Sequence, residues 1–169
     1  AYDQETGFGL VQAMASLDLP VLPFGASREV APGDSVIIAG SGGREATLSA
    51  CCVGRQPFAG YWEYWIADAI MTAPAHPFWG GAAAIDEHGR LAGMASLQVE
   101  TGDGKASQSL NMIIPIDLLP PVLDDLVKYG RPNRPARPWL GIYATELGER
   151  IVIAGIADDG PAEQAGVEI

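Results

Sequence analysis

The sequence has few basic residues, and this shortage narrows its choice of partners. Only 10 Lys and Arg stand against 21 Asp and Glu, which leaves a formal net charge of -11. A phosphate backbone or an anionic bilayer would be repelled by such a chain, so we expect neither nucleic acid nor anionic membrane as a partner. The acidic residues are spread along the chain, which is typical of a solvated surface.

Cysteine and histidine are also scarce. The two cysteines, Cys51 and Cys52, are adjacent in a segment of strand-like composition. Because successive strand side chains point to opposite faces, a disulfide between them would be strained, and we expect two free thiols. The sequence has no CxxC spacing and no clustered histidines, so it predicts no metal site. No cofactor is expected either.

Long apolar runs are missing. No stretch reaches the length of a membrane span without a charge or a proline, and no basic segment followed by an apolar one opens the chain. We therefore expect the residues as given to be soluble. The strand-like pattern begins almost at Ala1, and from this we expect a missing upstream segment that could carry a signal or an anchor.

Short apolar runs separated by turn residues fill most of the chain instead. The runs lie at 8–11, 19–22, 35–39, 46–53, 61–66, 82–85, 91–99 and 110–114. With 21 glycines and 13 prolines to supply the turns between them, this pattern predicts a mainly β fold, a meander or Greek-key barrel.

One helix and one linker interrupt the β pattern. Apolar residues at helical spacing predict a helix over 117–129, with Asp117 as its cap, two prolines in its first turn and Gly130 after its end. Residues 131–138 contain three prolines and three arginines, which is typical of an extended linker. A second unit is predicted to follow, with strands at 140–143 and 151–156 and a helix at 161–165. Residues 139–169 are too few to bury a core, so we expect them to belong to a larger domain.

Six strings of residues, given in one-letter code, carry a resemblance to a known family. They are LPFGAS at 22–27, VAPGDSV at 30–36, MIIPID at 112–117, VLDDLVKYG at 122–130, RPWLGI at 137–142 and IADDGPAEQAG at 156–166. The first two resemble the crossing from the first to the second barrel in the HtrA (Deg) family of trypsin-like serine proteases. The next three resemble that family's junction between barrel and PDZ domain, and the last resembles its PDZ turn and helix.

The resemblance implies a fold and a domain order. It implies a mainly β chain with a chymotrypsin/trypsin-like six-stranded β-barrel and a C-terminal helix, followed by a truncated PDZ domain. Residues 1–26 would end the first barrel, 27–130 would form the second barrel with its helix, 131–138 the linker, and 139–169 the start of the PDZ domain.

The resemblance also implies a location and partners. Family members usually work outside the cytoplasm in bacteria, so a periplasmic or extracytoplasmic location is implied for this chain. Peptides or unfolded protein segments, including protein C-termini, would be its partners. A homo-oligomer formed through missing N-terminal residues would also fit the family.

The catalytic positions implied by the resemblance hold unsuitable residues. The family's catalytic aspartate lies in a T-D-L-A-V-L pattern, and the matching stretch 6–11 has Gly7 in its place. The nucleophile lies in G-x-S-G-G-P-L, and the matching stretch 76–83 has Trp79 where the serine should be. Trp79 has no hydroxyl and its indole N–H is not a nucleophile. We therefore expect proteolysis to be lost and Trp79 to plug the former cleft.

The loop around Trp79 is also one residue shorter than the family's A-P-x-x-P-G-x-S-G-G pattern. The missing residue is the glycine whose N–H would help to bind an oxyanion. Pro77, Phe78, Gly80 and Gly81 are then the remnant of that loop. The family's histidine would lie upstream of residue 1.

Other ionisable residues permit a different chemistry. His76 or His88, with Asp86 or Glu87 beside it, could serve as a general acid or base of another hydrolase. The alternative is structural, with His88 solvated in a turn and His76 an incidental surface group. Asp68, within an apolar strand, is expected to be a satisfied edge carboxylate.

Two further groups of residues could bind a peptide. The aromatic residues Tyr61, Trp62, Tyr64 and Trp65, with Phe78, could line a groove, although alternation places one set of them in the core. The motif Leu140-Gly141-Ile142 after Trp139 fits the PDZ loop whose N–H groups hold a terminal carboxylate.

Three functions remain open at this stage. The leading interpretation is a pseudoprotease of the HtrA type that binds peptides or partner proteins. The second is an active HtrA-type serine endopeptidase that uses Ser41, Ser49 or Ser96 as its nucleophile. The third is a purely structural barrel within an assembly.

Overall fold

The computed structural model of the protein describes residues 1–60, 65–102, 107–135 and 137–169. The chain divides into two compact units, residues 1–133 and residues 134–169. The boundary falls within the segment 131–138, whose composition is that of a linker.

The first unit contains a closed antiparallel barrel of six strands. They are β1 (Ser35–Ala39), β2 (Thr47–Phe58), β3 (Ile66–Ala73), β4 (Ala83–Ile85), β5 (Leu91–Thr101) and β6 (Gln108–Pro115). Their order around the barrel is β1-β2-β3-β6-β5-β4, and β1 pairs with β4 to close it. This confirms the six-stranded barrel. The apolar runs at 35–39, 46–53, 82–85, 91–99 and 110–114 overlap β1, β2, β4, β5 and β6. The run at 61–66 meets β3 only at Ile66, and its residues 61–64 lie outside the described residues.

Alternation along the strands divides the buried residues between two clusters. One cluster takes side chains from all six strands, including Ile38, Ile70 and Ile113, and fills the barrel interior. The neighbouring side chains Met71 and Met112 belong to the other cluster, which also includes residues of the C-terminal helix. The two faces of β3 and β6 are therefore both covered, which explains their nearly continuous apolar sequence.

The C-terminal helix, α1 (Pro120–Tyr129), begins later than the sequence predicts. A 3-10 turn at Ile116–Leu118 precedes it, and its N-cap residue is Leu119 rather than Asp117. Asp117 instead accepts a hydrogen bond from the backbone N–H of Arg28 at 3.1 Å. The end is as predicted, since Gly130 adopts a φ of +74°, which favours glycine.

The N-terminal segment does not form the strands predicted at 8–11 and 19–22. Only an isolated bridge joins Tyr2 to Gly9, and residues 19–22 have no strand assignment. Phe8 is buried in the cluster that contacts α1, whereas residues 11–21 are exposed. These two predictions were wrong because apolar composition is not enough for a strand, which also needs a neighbour with which to pair.

The second unit is a hairpin followed by a short helix. It consists of β7 (Ile142–Leu147), β8 (Arg150–Ile156) and α2 (Pro161–Gln164). The first strand starts at Ile142 rather than at residue 140. Gly141 has a φ of +72°, which lies outside the extended region, and the carbonyl of Leu140 accepts from the N–H of Ala162.

Candidate functional site

The loop at residues 74–82, which connects β3 to β4, contains the predicted nucleophile position. Trp79 is half-buried and packs against the cluster that fills the barrel interior. Its neighbour Phe78 is 65% exposed. The loop thus turns one aromatic ring inward and leaves the other at the surface.

His76 holds this loop in place. Its backbone N–H donates to Oδ1 of Asn111 on β6 at 2.6 Å, and Nδ2 of Asn111 donates to the His76 carbonyl at 3.4 Å. In the ring, Nδ1 accepts from the backbone N–H of Phe78 at 3.0 Å, and Nε2 lies 2.7 Å from the carbonyl oxygen of Ala46. His76 is only 3% exposed, so the prediction of an incidental surface group was wrong.

These contacts assign the ring's tautomer and give it a structural role. Because Nδ1 of His76 accepts a proton donor, Nε2 must carry the ring hydrogen and donate it to the carbonyl of Ala46. A general base needs a free nitrogen lone pair within reach of the reacting group. The only lone pair of this tautomer is engaged by Phe78, so His76 is a positioning residue for the loop.

Gly40 permits the close approach of this loop to the end of β1. A Cβ at Gly40 would lie 2.9 Å from Cε1 of His76 and 2.9 Å from the carbonyl oxygen of Phe78. Sequence reasoning missed both Gly40 and Asn111. They are far apart in the sequence, and no local pattern indicates that both contact the loop at residues 74–82.

Two backbone donors of the predicted oxyanion remnant make internal hydrogen bonds. The N–H of Phe78 is bonded to His76, and the N–H of Gly81 donates to the carbonyl of Ala95 at 2.9 Å. Pro77 has no N–H. An oxyanion hole requires N–H groups directed at the substrate, whereas these two donors are directed at the protein itself.

Gly7 lies in a tight turn near the start of the chain. Its N–H donates to the carbonyl of Asp3 at 2.8 Å, and the buried side chain of Asp3 accepts from the hydroxyl of Thr6 at 2.8 Å. Gly7 has a φ of +79°, a conformation that favours glycine over residues with a Cβ. The backbone at this position is therefore shaped for glycine.

The chain is similar to known proteins in both sequence and structure. A family model described as a trypsin-like peptidase domain matches residues 1–94. Serine endoprotease DegS of Escherichia coli (strain K12) is 27% identical and is aligned with 99% of this chain and 50% of its own length. The solved structure of the HtrA-type protease AlgW with a decapeptide matches with a TM-score of 0.56 and 25% identity, over 91% of this chain and 50% of that one.

The chain belongs to the HtrA/Deg family of trypsin-like proteases. A probable periplasmic serine endoprotease, DegP-like, of Pseudomonas fluorescens is 28% identical over 90% of the chain and 34% of its own length. The chain thus spans half or less of the length of these curated relatives.

The serines considered as alternative nucleophiles of this HtrA-type chain are spread over three elements. Ser41 is exposed just after β1, Ser49 is exposed on β2, and Ser96 is half-buried on β5. The ring nitrogens of His76 are engaged by Ala46 and Phe78, so this imidazole activates none of the three.

The carboxylates considered for acid–base chemistry have structural partners. Asp68 accepts from Nε and Nη2 of Arg55, at 3.0 and 2.6 Å, and this hydrogen bonding holds its pKa below the usual value. Asp68 is thus the satisfied carboxylate that its position in a strand predicts.

Asp86 and His88 belong to the turn between β4 and β5. Burial raises the pKa of Asp86, but hydrogen bonds from Arg90 and His88 outweigh it, and the net pKa lies below the usual value. The side chain of His88 is 64% exposed, as predicted for a solvated turn residue, and lies 4.0 Å from the carboxylate of Glu87.

The remaining predicted positions are placed as follows. Tyr61, Trp62 and Tyr64 lie outside the described residues, and Trp65 is exposed. In the second unit Leu140 is exposed, and Gly141 is buried with a φ of +72°.

The described ranges contain no cluster of three His, Cys, Asp or Glu side chains arranged to hold a metal ion. No helix within them is long and apolar enough to cross a membrane. Cys51 and Cys52 are free thiols, as predicted, and burial raises the pKa of Cys52.

Proposed function

We propose that this chain is a pseudoprotease of the HtrA type, which binds peptides or partner proteins without cleaving them. The observation that carries the proposal is Trp79, which stands in the sequence where the family's pattern has its serine and which packs against the barrel interior. An indole ring cannot attack a carbonyl carbon.

Three further observations support the same proposal. The imidazole of His76 uses both ring nitrogens to hold the loop, so it has no lone pair for a substrate or a serine. The N–H groups of Phe78 and Gly81 are bonded inside the protein. Gly7 has no side chain, so this position supplies no carboxylate to orient an imidazole. Restoring a single residue would therefore not restore catalysis.

Peptides are the partner class that the family comparison favours. The AlgW structure that this chain resembles contains a decapeptide. In this chain the exposed Leu140 and the adjoining Gly141 and Ile142 are the residues proposed to receive a peptide C-terminus. An extracytoplasmic location is proposed from the relative named as probably periplasmic.

The experiment that tests the loss of catalysis uses the full-length protein. We expect no labelling by a fluorophosphonate probe and no cleavage of casein, under conditions in which an active HtrA-type protease is labelled and cleaves. Trp79→Ser is expected to remain unlabelled as well, because Gly7 supplies no carboxylate and the N–H groups of Phe78 and Gly81 are bonded inside the protein. Serine-dependent labelling of the wild-type protein would overturn the proposal, and alanine replacement of Ser41, Ser49 and Ser96 in turn would then identify the nucleophile.

Peptide binding is tested separately on the same protein. A peptide array displaying free C-termini is expected to give hits that are lost in Leu140→Asp. An array without hits would overturn the binding role and would favour a structural barrel.

A further inference from the structure

A row of three residues, two of them isoleucines, crosses the outer face of the barrel. In the strand register, Ile37 of β1 lies between Ser49 of β2 and Ile85 of β4. Although Ile37 is in the middle of a barrel strand, it is 46% exposed. An open cleft of about 360 Å³ lies over this row, and we call it the β1 cleft.

One end of the β1 cleft is acidic. Its lining continues from Ile85 to Asp86 and Glu87 in the turn after β4. A smaller adjoining cleft of about 80 Å³ shares these two carboxylates and adds Glu29 and Asp34. Four carboxylates therefore border the two clefts on one side of the exposed isoleucine.

Arg90 neutralises only part of this charge. Its guanidinium lines the smaller cleft and is bonded to Asp86 at 2.8 Å and to Glu29 at 3.2 Å. Asp34 and Glu87 are exposed and are not bonded to this guanidinium. With a net charge of -11 on the whole chain, the potential at this end of the β1 cleft attracts cations.

We propose that the β1 cleft docks an extended segment of a partner protein that carries an aliphatic side chain next to a lysine or arginine. The aliphatic side chain covers Ile37, and the cation lies against Asp34 and Glu87. Since β1 is paired on both sides, with β2 and β4, the partner is held by side-chain contacts and not by strand addition. Charge complementarity selects this partner over an acidic or neutral one.

This docking site goes beyond the proposed function. It uses neither Trp79 nor the loop Leu140-Gly141-Ile142, and it holds whether or not the chain cleaves peptides. Because exposed charges are screened by salt, binding at the β1 cleft weakens as ionic strength rises.

The first test measures fluorescence anisotropy of labelled peptides with the intact chain. The probe is a peptide of alternating leucine and lysine with a blocked amino end and an amidated carboxyl end, so that a carboxylate-binding loop cannot capture it. The comparison peptide replaces every lysine with glutamate. We expect the lysine peptide to bind at least about tenfold more tightly. Absence of binding, or equal binding of the two peptides, overturns the proposal.

The second test separates the β1 cleft from general charge attraction. Ile37→Lys is expected to weaken binding of the lysine peptide by about tenfold, through lost apolar contact and added repulsion. Val53→Lys is the matched control, because Val53 is also a strand residue, is also 46% exposed and does not line the cleft. The affinity of Val53→Lys for the lysine peptide is expected to fall far less than that of Ile37→Lys. Equal losses in the two variants would show attraction by net charge alone and would overturn the proposal.

Glu87→Gln, a milder change in the same cleft, is expected to weaken binding of the lysine peptide severalfold.

Two controls keep the result independent of the proposed function. Far-UV circular dichroism of Ile37→Lys and Val53→Lys checks that both variants retain the fold. Mass spectrometry of the recovered peptide reports any cleavage. Cleavage would contradict the pseudoprotease proposal. If the wild-type protein does not raise the anisotropy of a peptide that stays intact, only the docking site is contradicted.

Discussion

His76 joins three parts of the first unit that are separate in sequence. Its imidazole contacts Ala46 after β1 and accepts the N–H of Phe78 within its own loop, and its backbone N–H donates to Asn111 on β6. The position of Trp79 therefore depends on contacts made three residues earlier in the loop.

Replacement of His76 tests this role at the level of one residue. His76→Leu fills much of the same space but leaves the Phe78 N–H and the Ala46 carbonyl without their partner. We expect it to lower the free energy of unfolding by about 2–4 kcal/mol, measured by urea denaturation at pH 7. His88→Leu is the matched control, because its side chain is 64% exposed, and it should change stability by less than about 0.5 kcal/mol. Equal effects of the two changes would contradict the positioning role.

The two histidines also show what residue-level sequence reasoning can and cannot resolve. Both follow short polar or proline-containing stretches, and both were expected at the surface. His88 is exposed because the tight turn between β4 and β5 projects from the barrel, whereas His76 is buried because its loop folds back onto β6. That difference depends on Asn111, which lies 35 positions away.

At the scale of elements, one arginine fastens two strands to the segment before β1. Arg55 on β2 bonds to Asp68 on β3, and its Nη1 donates to the carbonyls of Ser27 and Val30 at 2.7 and 2.8 Å. The carbonyls belong to the 3-10 turn Ser27–Glu29 and the residue after it. A bulge in the pairing of β2 with β3 lies beside Arg55, between Cys52 and Gly54.

The ion pair makes stability depend on pH in a defined direction. The hydrogen bonds from Arg55 lower the pKa of Asp68 in the folded chain. The pair therefore stabilises the fold above the ordinary Asp pKa of about 3.9, and this stabilisation is lost as the pH falls through the lower folded-state pKa. Asp68→Asn should cost about 1 kcal/mol at pH 7, a value at the upper end for a solvent-exposed pair.

Urea denaturation at several pH values checks this expectation. The difference in unfolding free energy between wild type and Asp68→Asn should shrink steadily below about pH 4. A difference that stays constant down to pH 2.5 would mean that the charge of Asp68 contributes nothing.

Sequence patterns identified most elements but not all of their boundaries. Strands β1, β4, β5 and β6 follow alternation bounded by turn residues, which is a local property. The start of α1 was misplaced because Asp117 binds the backbone of Arg28, 89 positions away, instead of capping the helix. The run at 19–22 has strand composition but lacks a strand beside it.

At the scale of the whole molecule, the two units differ greatly in how much they bury. The first unit contains both apolar clusters. Within the described part of the second unit, Ala162 is the one apolar side chain classed as buried, and Leu147 and Ile151 of the hairpin are exposed. Burial of apolar area supplies most of the free energy of folding, so the units should differ in independent stability.

Separate expression of the two units tests that difference. Residues 1–133 alone should unfold cooperatively in urea, with a midpoint close to that of the whole chain. Residues 134–169 alone should show no cooperative transition. Circular dichroism measures both. A cooperative transition in the shorter piece, or its absence in the longer one, would contradict this assignment of the stabilising core.

The order of residues along the chain was enough to predict the mainly β character, the barrel strands other than β3, the end of α1 at Gly130 and the family to which the chain belongs. Each of these rests on alternation, turn chemistry or strings of neighbouring residues, which are local. The burial of His76, the closeness of Gly40 to the loop of Trp79 and the exposed row at Ile37 required the three-dimensional contacts. They arise where strands distant in sequence become neighbours, and closure of the barrel by β1 and β4 is what brings them together.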